Sequence, residues 1–232
     1  VGDRSGSMRS MGESPQEGTR EFITERKKNA VKNNIDGDFI CVTFDSVATD
    51  VFVKPIKKIS EKDVILAVSE MTPRASTRLI DTAYETIEKM MKMVDRYKAK
   101  LSKEVIALNP KITLVCAILT DGHDNMSEKS DKDLNLLIQK YKTEYGGVVL
   151  FLAANQDSIQ TGNRFGISRG ECITFSSNRQ GSKNVFKSEM NNTGATYNIF
   201  DFVVNNMIVL VLLFVIFFLI YLGVSYFRNQ TK

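Results

Sequence analysis

The stretch Lys111-Ile-Thr-Leu-Val-Cys-Ala-Ile-Leu-Thr120 decides the fold. Its apolar residues follow one another without the alternation of a half-buried strand, so it predicts a central strand covered on both faces. The segment 147–154, Gly-Val-Val-Leu-Phe-Leu-Ala-Ala, has the same character. Between them, the amphipathic stretch 130–145 predicts a connecting helix. Strands that alternate with such helices indicate an α/β protein with a mainly parallel sheet.

Further runs extend this pattern along the N-terminal 177 residues. We expect additional strands at 38–44, 48–54 and 171–175, the second of them at a sheet edge, and additional helices at 17–32, 61–70, 79–104 and 158–165. The 79–104 helix has a basic side formed by Lys89, Lys92, Arg96, Lys98, Lys100 and Lys103. A solvated helix face explains this side most simply, and an acidic partner or lipid headgroups are the alternatives.

Composition limits the classes of function. The chain has 232 residues, which suffice for one well-buried domain and an anchor but not for two full domains. The net charge is +4, and the basic residues are interspersed with acidic ones, so no nucleic-acid binding is expected. Cys41, Cys116 and Cys172 have no metal-ligand spacing, and we expect each to be a small buried apolar residue. Their odd number favours a reducing compartment.

A long uncharged segment near the C-terminus predicts a membrane anchor. No charged residue occurs from Phe202 to Phe227, and about 20 apolar residues are enough for a helix to span a bilayer. We therefore divide the chain into a domain at 1–177, a polar linker at 178–203, a transmembrane helix at 204–228 and a short tail at 229–232. The unpaired cysteines and the lack of a secretory signal favour a domain on the cytosolic side, and the inner membrane of a virion is an alternative setting.

Three separated segments direct side-chain oxygens to one edge of the predicted sheet. Asp3-Arg4-Ser5-Gly6-Ser7-Met8 offers a carboxylate and two hydroxyls at alternating positions around a turn-permissive glycine. Thr77 precedes the 79–104 helix, and Asp121 directly follows the 111–120 strand. Open α/β sheets bind ligands at the carboxyl ends of strands, where neighbouring strands wind in opposite directions. We therefore expect the three segments to converge there.

The combination of Asp-x-Ser-x-Ser, a distant Thr and a later Asp resembles the von Willebrand factor A family. The resemblance runs from Val1 to about Ser177, and the segments 151–157 and 165–167 look most like intracellular-type members from bacteria, phages and large viruses. It implies a Rossmann-like, doubly wound and mainly parallel sheet flanked by helices. The family has a buried strand before this motif, whereas here only Val1 and Gly2 precede it. We therefore expect a truncated first strand and a longer natural product.

The same resemblance implies a metal-ion-dependent adhesion site that binds Mg²⁺, or alternatively Mn²⁺ or Ca²⁺. Its residues are Asp3, Ser5, Ser7, Thr77 and Asp121. The three hydroxyls would bind the ion directly, while the two carboxylates would act largely through bound water. Mg²⁺ suits such a set because it prefers oxygen ligands and retains water readily. Neutral hydroxyls leave most of the ionic charge unquenched, so an acidic residue of a partner protein would be attracted to the open position.

These features predict a membrane-anchored, divalent-metal-dependent protein-binding domain for adhesion or assembly, and not an enzyme. The one histidine, His123, lies in the loop after Asp121, and the sequence has neither a phosphate-binding glycine loop nor clustered His or Cys for zinc. Capsid or assembly proteins are the expected partners. One alternative is a minor capsid-type component that tethers a viral shell to an internal membrane, with the metal site incidental. A second is an assembly factor paired with a separately encoded motor ATPase.

Overall fold

The computed structural model describes residues 1–107, 112–121, 124–154 and 158–175. These residues form a six-stranded sheet in the order β3-β2-β1-β4-β5-β6. The strands are β1 (Gly2–Asp3), β2 (Asp38–Phe44), β3 (Ala48–Pro55), β4 (Val115–Thr120), β5 (Val148–Ala154) and β6 (Cys172–Phe175). Neighbouring strands pair in parallel, except that β3 is antiparallel to β2. The predicted α/β class with a mainly parallel sheet is confirmed, and β3 is an edge strand as expected.

Helices cover both faces of this sheet. They are α1 (Ser14–Lys32), α2 (Glu61–Glu70), α3 (Leu79–Lys98), α4 (Lys103–Ala107), α5 (Asp131–Tyr145) and α6 (Ser158–Arg164). On one face, α3 and α5 pack against Cys116 and Ile118 of β4. On the other, Leu119 belongs to a cluster of methionines, and Ile23 of α1 packs with α2 against Cys41 and Phe52. Successive β4 residues therefore point into opposite cores, which explains why this strand is apolar throughout.

Two predicted boundaries differ from the structure by four residues or more. The strand predicted at 111–120 begins only at Val115, where its ladder with β5 begins. The helix predicted at 79–104 ends at Lys98, and a turn separates it from α4. Val94 is the last fully buried residue of α3, and the side chains that follow are exposed. Helices in proteins are stabilised mainly by tertiary packing. Residues after Val94 do not pack against the core, so extending the helix further would add little stability.

The cysteines largely behave as expected. Cys41 and Cys116 are buried and Cys172 is half-buried, which corrects the expectation for the last one, and none of the three forms a disulfide within the described part of the chain. Within the described ranges, no helix combines the length and apolarity that crossing a membrane requires. The linker predicted at 178–203, the anchor at 204–228 and the tail at 229–232 lie outside those ranges, as does His123.

The first strand occupies the centre of the sheet although it has only two residues. Gly2 pairs with Thr43 of β2 on one side and with Leu119 of β4 on the other. The order of strands reverses direction between β1 and β4, so the crevice beyond their carboxyl ends is the usual ligand position of a doubly wound sheet. Asp3 ends β1 and Asp121 directly follows β4 at this crevice.

Candidate metal centre

Four of the five predicted ligands form a hydrogen-bonded chain at the strand reversal. Asp3 Oδ1 accepts the backbone N–H of Ser5 at 2.7 Å. The hydroxyl oxygens of Ser5 and Ser7 lie 3.1 Å apart, and Ser7 Oγ donates to Asp121 Oδ1 at 2.8 Å. Side chains that follow two different strands, with Ser7 and Asp121 114 positions apart in the chain, therefore meet at one point.

A glycine allows this turn to approach the next ligand segment. Gly6 donates its N–H to the carbonyl oxygen of Ala75 at 3.0 Å. A Cβ atom on Gly6 would lie 3.3 Å from that oxygen, closer than a side chain normally tolerates. Ser5 is extended and begins the short 3-10 turn Gly6–Met11, so Ser5 and Ser7 lie on either side of the glycine. The sequence pattern Ser-Gly-Ser thus matches a local requirement for close backbone contact.

Thr77 contacts the loop after Asp121 through its backbone. Its N–H donates to Asn125 Oδ1 at 2.9 Å, and its carbonyl accepts the Asn125 N–H at 3.0 Å. The Ala75 contact ties the same loop to the turn that carries Ser5 and Ser7. Thr77 is buried and its loop is bonded to both other ligand segments, although its hydroxyl is not part of the hydrogen-bonded chain of the other four.

The two carboxylates of this site, Asp3 and Asp121, have no ion-pair partner among the described residues. Asp3 is 0% exposed, and burial raises its pKa despite hydrogen bonds from the Thr120 hydroxyl and from Ser5, while the nearby Asp121 raises it further. Burial also raises the pKa of Asp121, against the hydrogen bond from Ser7. Among the described residues, no Lys or Arg forms a salt bridge with either carboxylate.

Two neighbouring buried carboxylates have the opposite environment. Asp45 binds the guanidinium groups of Arg4 and Arg74 at 3.0 and 2.8 Å. Although burial opposes ionisation, the Val47 N–H and these two arginines hold the pKa of Asp45 below its ordinary value. The sequence motif showed none of this, because Arg4 and Asp45 are 41 positions apart and each looks ordinary in its own segment.

Asp81 is the second such carboxylate. It lies 3.0 Å from Arg78 and accepts the backbone N–H groups of Glu128 and Lys129 at 3.0 and 2.9 Å. Burial works against ionisation, but those two N–H donors and Arg78 lower the pKa of Asp81 overall. This contact fixes the loop that follows Asp121 against the start of α3, and sequence reasoning missed it.

The start of α3 depends on a residue outside the helix. Arg78, at its N-terminal boundary, provides no side-chain cap, and Asp124 Oδ1 instead accepts the Ile80 N–H at 3.2 Å. Ser127 donates its hydroxyl to the same Asp124 oxygen at 2.6 Å. The signal available in the sequence was the run of polar residues after Asp121, but a cap donated from another segment cannot be read from local spacing.

The chemistry of this donor set fits a hard divalent cation. Ser7 Oγ lies within hydrogen-bonding distance of both Ser5 Oγ and Asp121 Oδ1, and the buried Asp3 carboxylate accepts the Ser5 N–H. Such oxygens are the ligands that Mg²⁺ prefers. The described part of the chain contains no cluster of three or more His, Cys, Asp or Glu side chains that could hold a metal. The predicted set has two carboxylates and relies on hydroxyls for the rest.

Comparison with known proteins supports the fold but does not identify a family or a function. No protein-family model matches the chain, and no curated protein matches it. Two crystal structures of proximal thread matrix protein 1 from the mussel byssus match with TM-scores of 0.52 and 0.51, at 20% and 19% identity, over 81% and 80% of this chain. A von Willebrand factor type A protein from Catenulispora acidiphila matches at TM-score 0.47 and 14% identity over 80% of this chain.

The matched structures are much longer than the region they share with this chain. The chain spans 43% and 42% of the two mussel structures and 39% of the Catenulispora structure. At these identities, the likeness to the mussel protein shows a common fold and does not extend to activity. Together with the strand order, it supports the doubly wound, mainly parallel arrangement expected from the sequence.

Proposed function

We propose that this chain is a divalent-metal-dependent protein-binding domain. The observation that carries the proposal is the buried Asp3 carboxylate. Asp121 and the hydroxyl-bearing residues Ser5 and Ser7 belong to the same hydrogen-bonded chain, and no Lys or Arg of the described residues forms a salt bridge with Asp3. Burying an ionised carboxylate without a compensating charge is costly. A bound Mg²⁺ ion would supply that charge.

The residues that would hold the ion are Asp3, Ser5, Ser7, Thr77 and Asp121. Bound there, the ion supplies a Lewis-acidic position for an oxygen ligand from outside the domain. Ser7 is exposed and Asp121 is partly exposed, so this side of the site is open to a partner. An acidic side chain of a partner protein is the ligand that matches a hard cation held mostly by neutral hydroxyls.

A non-catalytic role accounts for the residues best. Metal-assisted hydrolysis needs an activated water and usually more carboxylate or imidazole ligation than these residues offer. The fold that the chain shares with other proteins does not decide function, which depends on the site itself.

The proposal includes a membrane anchor at 204–228, supported by the uncharged run from Phe202 to Phe227. It assigns the domain to the cytosolic side and gives it capsid or assembly proteins as partners, with the inner membrane of a virion as the alternative setting. Nucleic acid is not among the proposed ligands.

Calorimetric titration of the full chain with Mg²⁺ tests the metal site. Asp3→Ala removes the carboxylate beneath the hydroxyls, so the heat of Mg²⁺ binding is expected to disappear. Asp38→Ala is a matched control, because it removes an exposed carboxylate at the opposite, N-terminal end of β2. Equal heats from the wild type and Asp3→Ala would remove the metal site from the account.

Crosslinking in the native membrane, followed by mass spectrometry, identifies the partner. Treatment of the complex with a chelator then distinguishes reversible, metal-dependent adhesion from a static tether. Reversible adhesion predicts that EDTA releases the partner and that Asp3→Ala never retains it. A static tether predicts retention in EDTA and by Asp3→Ala alike, because a large interface would hold without the ion.

A further inference from the structure

Arg4 lies between two proposed ligands in the sequence, but its side chain points away from them. The guanidinium is buried, with 3% of the side chain exposed. Its Nε donates to Asp45 Oδ2 at 3.0 Å, its Nη2 to Thr49 Oγ1 at 2.8 Å, and its Nη1 to Glu70. Each of the three guanidinium nitrogens therefore donates a hydrogen bond, and a planar fork with this reach is a property of arginine and not of lysine.

The backbone around Arg4 is tied to the loop that carries Thr77. The Arg4 N–H donates to Phe44 O at 2.8 Å and so extends the β1–β2 ladder. The Arg4 carbonyl accepts the Arg74 N–H at 2.7 Å, and the Asp45 carbonyl accepts the Arg78 N–H at 2.8 Å. Arg74 and Arg78 stand on either side of Thr77, so Arg4 and its partner Asp45 hold both ends of that loop.

The loop that carries Thr77 contains an unfavourable backbone conformation at Ala75. Ala75 has φ 55°, in the left-handed region that residues other than glycine seldom adopt. Such a residue persists only where surrounding contacts impose it. The contacts on either side are the Gly6 bond to the Ala75 carbonyl and the Arg74 bond to the Arg4 carbonyl. Movement of the Arg4 segment would therefore release the Thr77 loop.

We propose that Arg4, acting through Asp45, is the positioning residue that sets the distance between Thr77 and the two serines and thereby the affinity for the divalent ion. The inference rests on the proposed metal-binding function. Arg4 does not touch the ion. It fixes the two segments that carry hydroxyl ligands, as residues that orient metal ligands from behind do in other proteins.

Arg74 offers a matched control on the same carboxylate. Arg74 Nε lies 2.8 Å from Asp45 Oδ2, but 56% of its side chain is exposed. Water screens the exposed Arg74 guanidinium, and Asp45 keeps its buried partner Arg4, so the loss of Arg74 is expected to change little. Removing Arg4 instead leaves Asp45 without its buried cation.

The experiment measures Mg²⁺ affinity by calorimetry on the full chain with Arg4→Lys, Arg4→Met, Arg74→Met and Ile138→Val. Arg4→Lys keeps the charge and gives a folded variant even if Arg4→Met does not fold. Both Arg4 variants are expected to weaken Mg²⁺ binding by about 10-fold or more, the usual effect of losing such an orienting partner. Arg74→Met is expected to stay within about twofold of the wild type, because water screens the exposed Arg74 guanidinium.

Ile138→Val tests whether the loss of affinity is merely a loss of stability. Ile138 is fully buried in α5, on an element that contributes no ligand, and the substitution lowers the melting temperature without touching the site. Its Mg²⁺ affinity is expected to equal that of the wild type. Equal weakening in Ile138→Val and Arg4→Lys would overturn the positioning role.

The outcomes separate the two proposals. If the wild type binds Mg²⁺ and a folded Arg4→Lys binds it equally well, Arg4 does not position the site and the proposed function stands. If Arg74→Met weakens binding as much as Arg4→Lys does, the role does not belong to Arg4. If the wild type shows no more heat than Asp3→Ala, both proposals are wrong.

Discussion

Asp3 and Asp81 are both buried carboxylates, and their surroundings give them different roles. Asp81 receives two backbone N–H groups and the Arg78 guanidinium, so its charge is compensated within the chain. Asp3 receives a backbone N–H and the Thr120 hydroxyl and has a second carboxylate nearby. The arrangement at Asp81 stabilises a loop, and the one at Asp3 is where we propose that an outside cation binds.

Asp81→Asn should destabilise the domain by about 2–4 kcal/mol, because it removes a buried charge from Arg78 and weakens two charge-assisted hydrogen bonds. Urea denaturation measures the loss. Glu85→Gln is the matched control, since Glu85 also binds Arg78, at 2.9 Å, but is largely exposed. Its expected cost is below about 1 kcal/mol. Equal costs for the two substitutions would contradict the importance of burial at Asp81.

At the scale of single residues, the sequence indicated candidate ligands but not the residues that hold their segments in place. Asp3, Ser5 and Ser7 are recognisable because their spacing is local. Arg4 and Asp45 act as a pair across 41 positions, and neither is distinctive alone. A long-range ion pair leaves no pattern in a single sequence, so the sequence could not reveal what holds the site.

The helices show which local signals suffice to predict an element. Helix α2 was predicted at 61–70 and found there, because Ser60 and Asp63 form a capping box whose residues are only three positions apart. Ser130 and Asp133 begin α5 in the same way. In contrast, the end of the 79–104 prediction was wrong, because the apolar spacing continued to Leu101 while the core ended at Val94.

Asp63 gives α2 a pH dependence that can be measured. The hydrogen bond from Lys54, followed by those from Ser60, lowers the pKa of Asp63 to about 2. A depressed pKa stabilises the fold above the unfolded value, near pH 3.8, and this contribution is lost as the pH falls toward about 2. Asp63→Asn should therefore cost about 1 kcal/mol near neutral pH and almost nothing near pH 2.

Lys54→Met provides the control for this dependence. Because Lys54 is the largest cause of the shift, its removal should bring the pKa of Asp63 closer to the ordinary value and reduce the difference in pH dependence between the wild type and Asp63→Asn. Urea denaturation at several pH values records this. An unchanged pH dependence in Lys54→Met would show that Lys54 does not lower this pKa.

For the whole molecule, stability and metal binding should be linked. A ligand that binds only the folded chain raises the free energy of unfolding, by about 2.7 kcal/mol at a concentration 100 times its Kd. Mg²⁺ should therefore raise the melting temperature of the wild type. Asp3→Asn should lose this gain and, in EDTA, should be at least as stable as the wild type, because it removes a buried uncompensated charge. A less stable Asp3→Asn in EDTA would contradict this account of Asp3.

The architecture of the whole domain was the most predictable level. Continuous apolar strands and amphipathic helices indicated a parallel sheet with two covered faces, and the strand reversal between β1 and β4 then located the crevice. The pattern could not predict where the loops lie relative to that crevice, because their positions depend on contacts such as Gly6 to Ala75 and Thr77 to Asn125.

Anomalous diffraction from crystals of the full chain grown with Mn²⁺ tests the central claim most directly. The account predicts one strong manganese peak within coordination distance of Ser5 Oγ, Ser7 Oγ and Thr77 Oγ1, with Asp3 and Asp121 bonded to the ion or to its water molecules. Asp3→Ala crystals should lack that peak. A manganese peak elsewhere, or no peak while Ser7 keeps its hydrogen bond to Asp121, would contradict the metal centre.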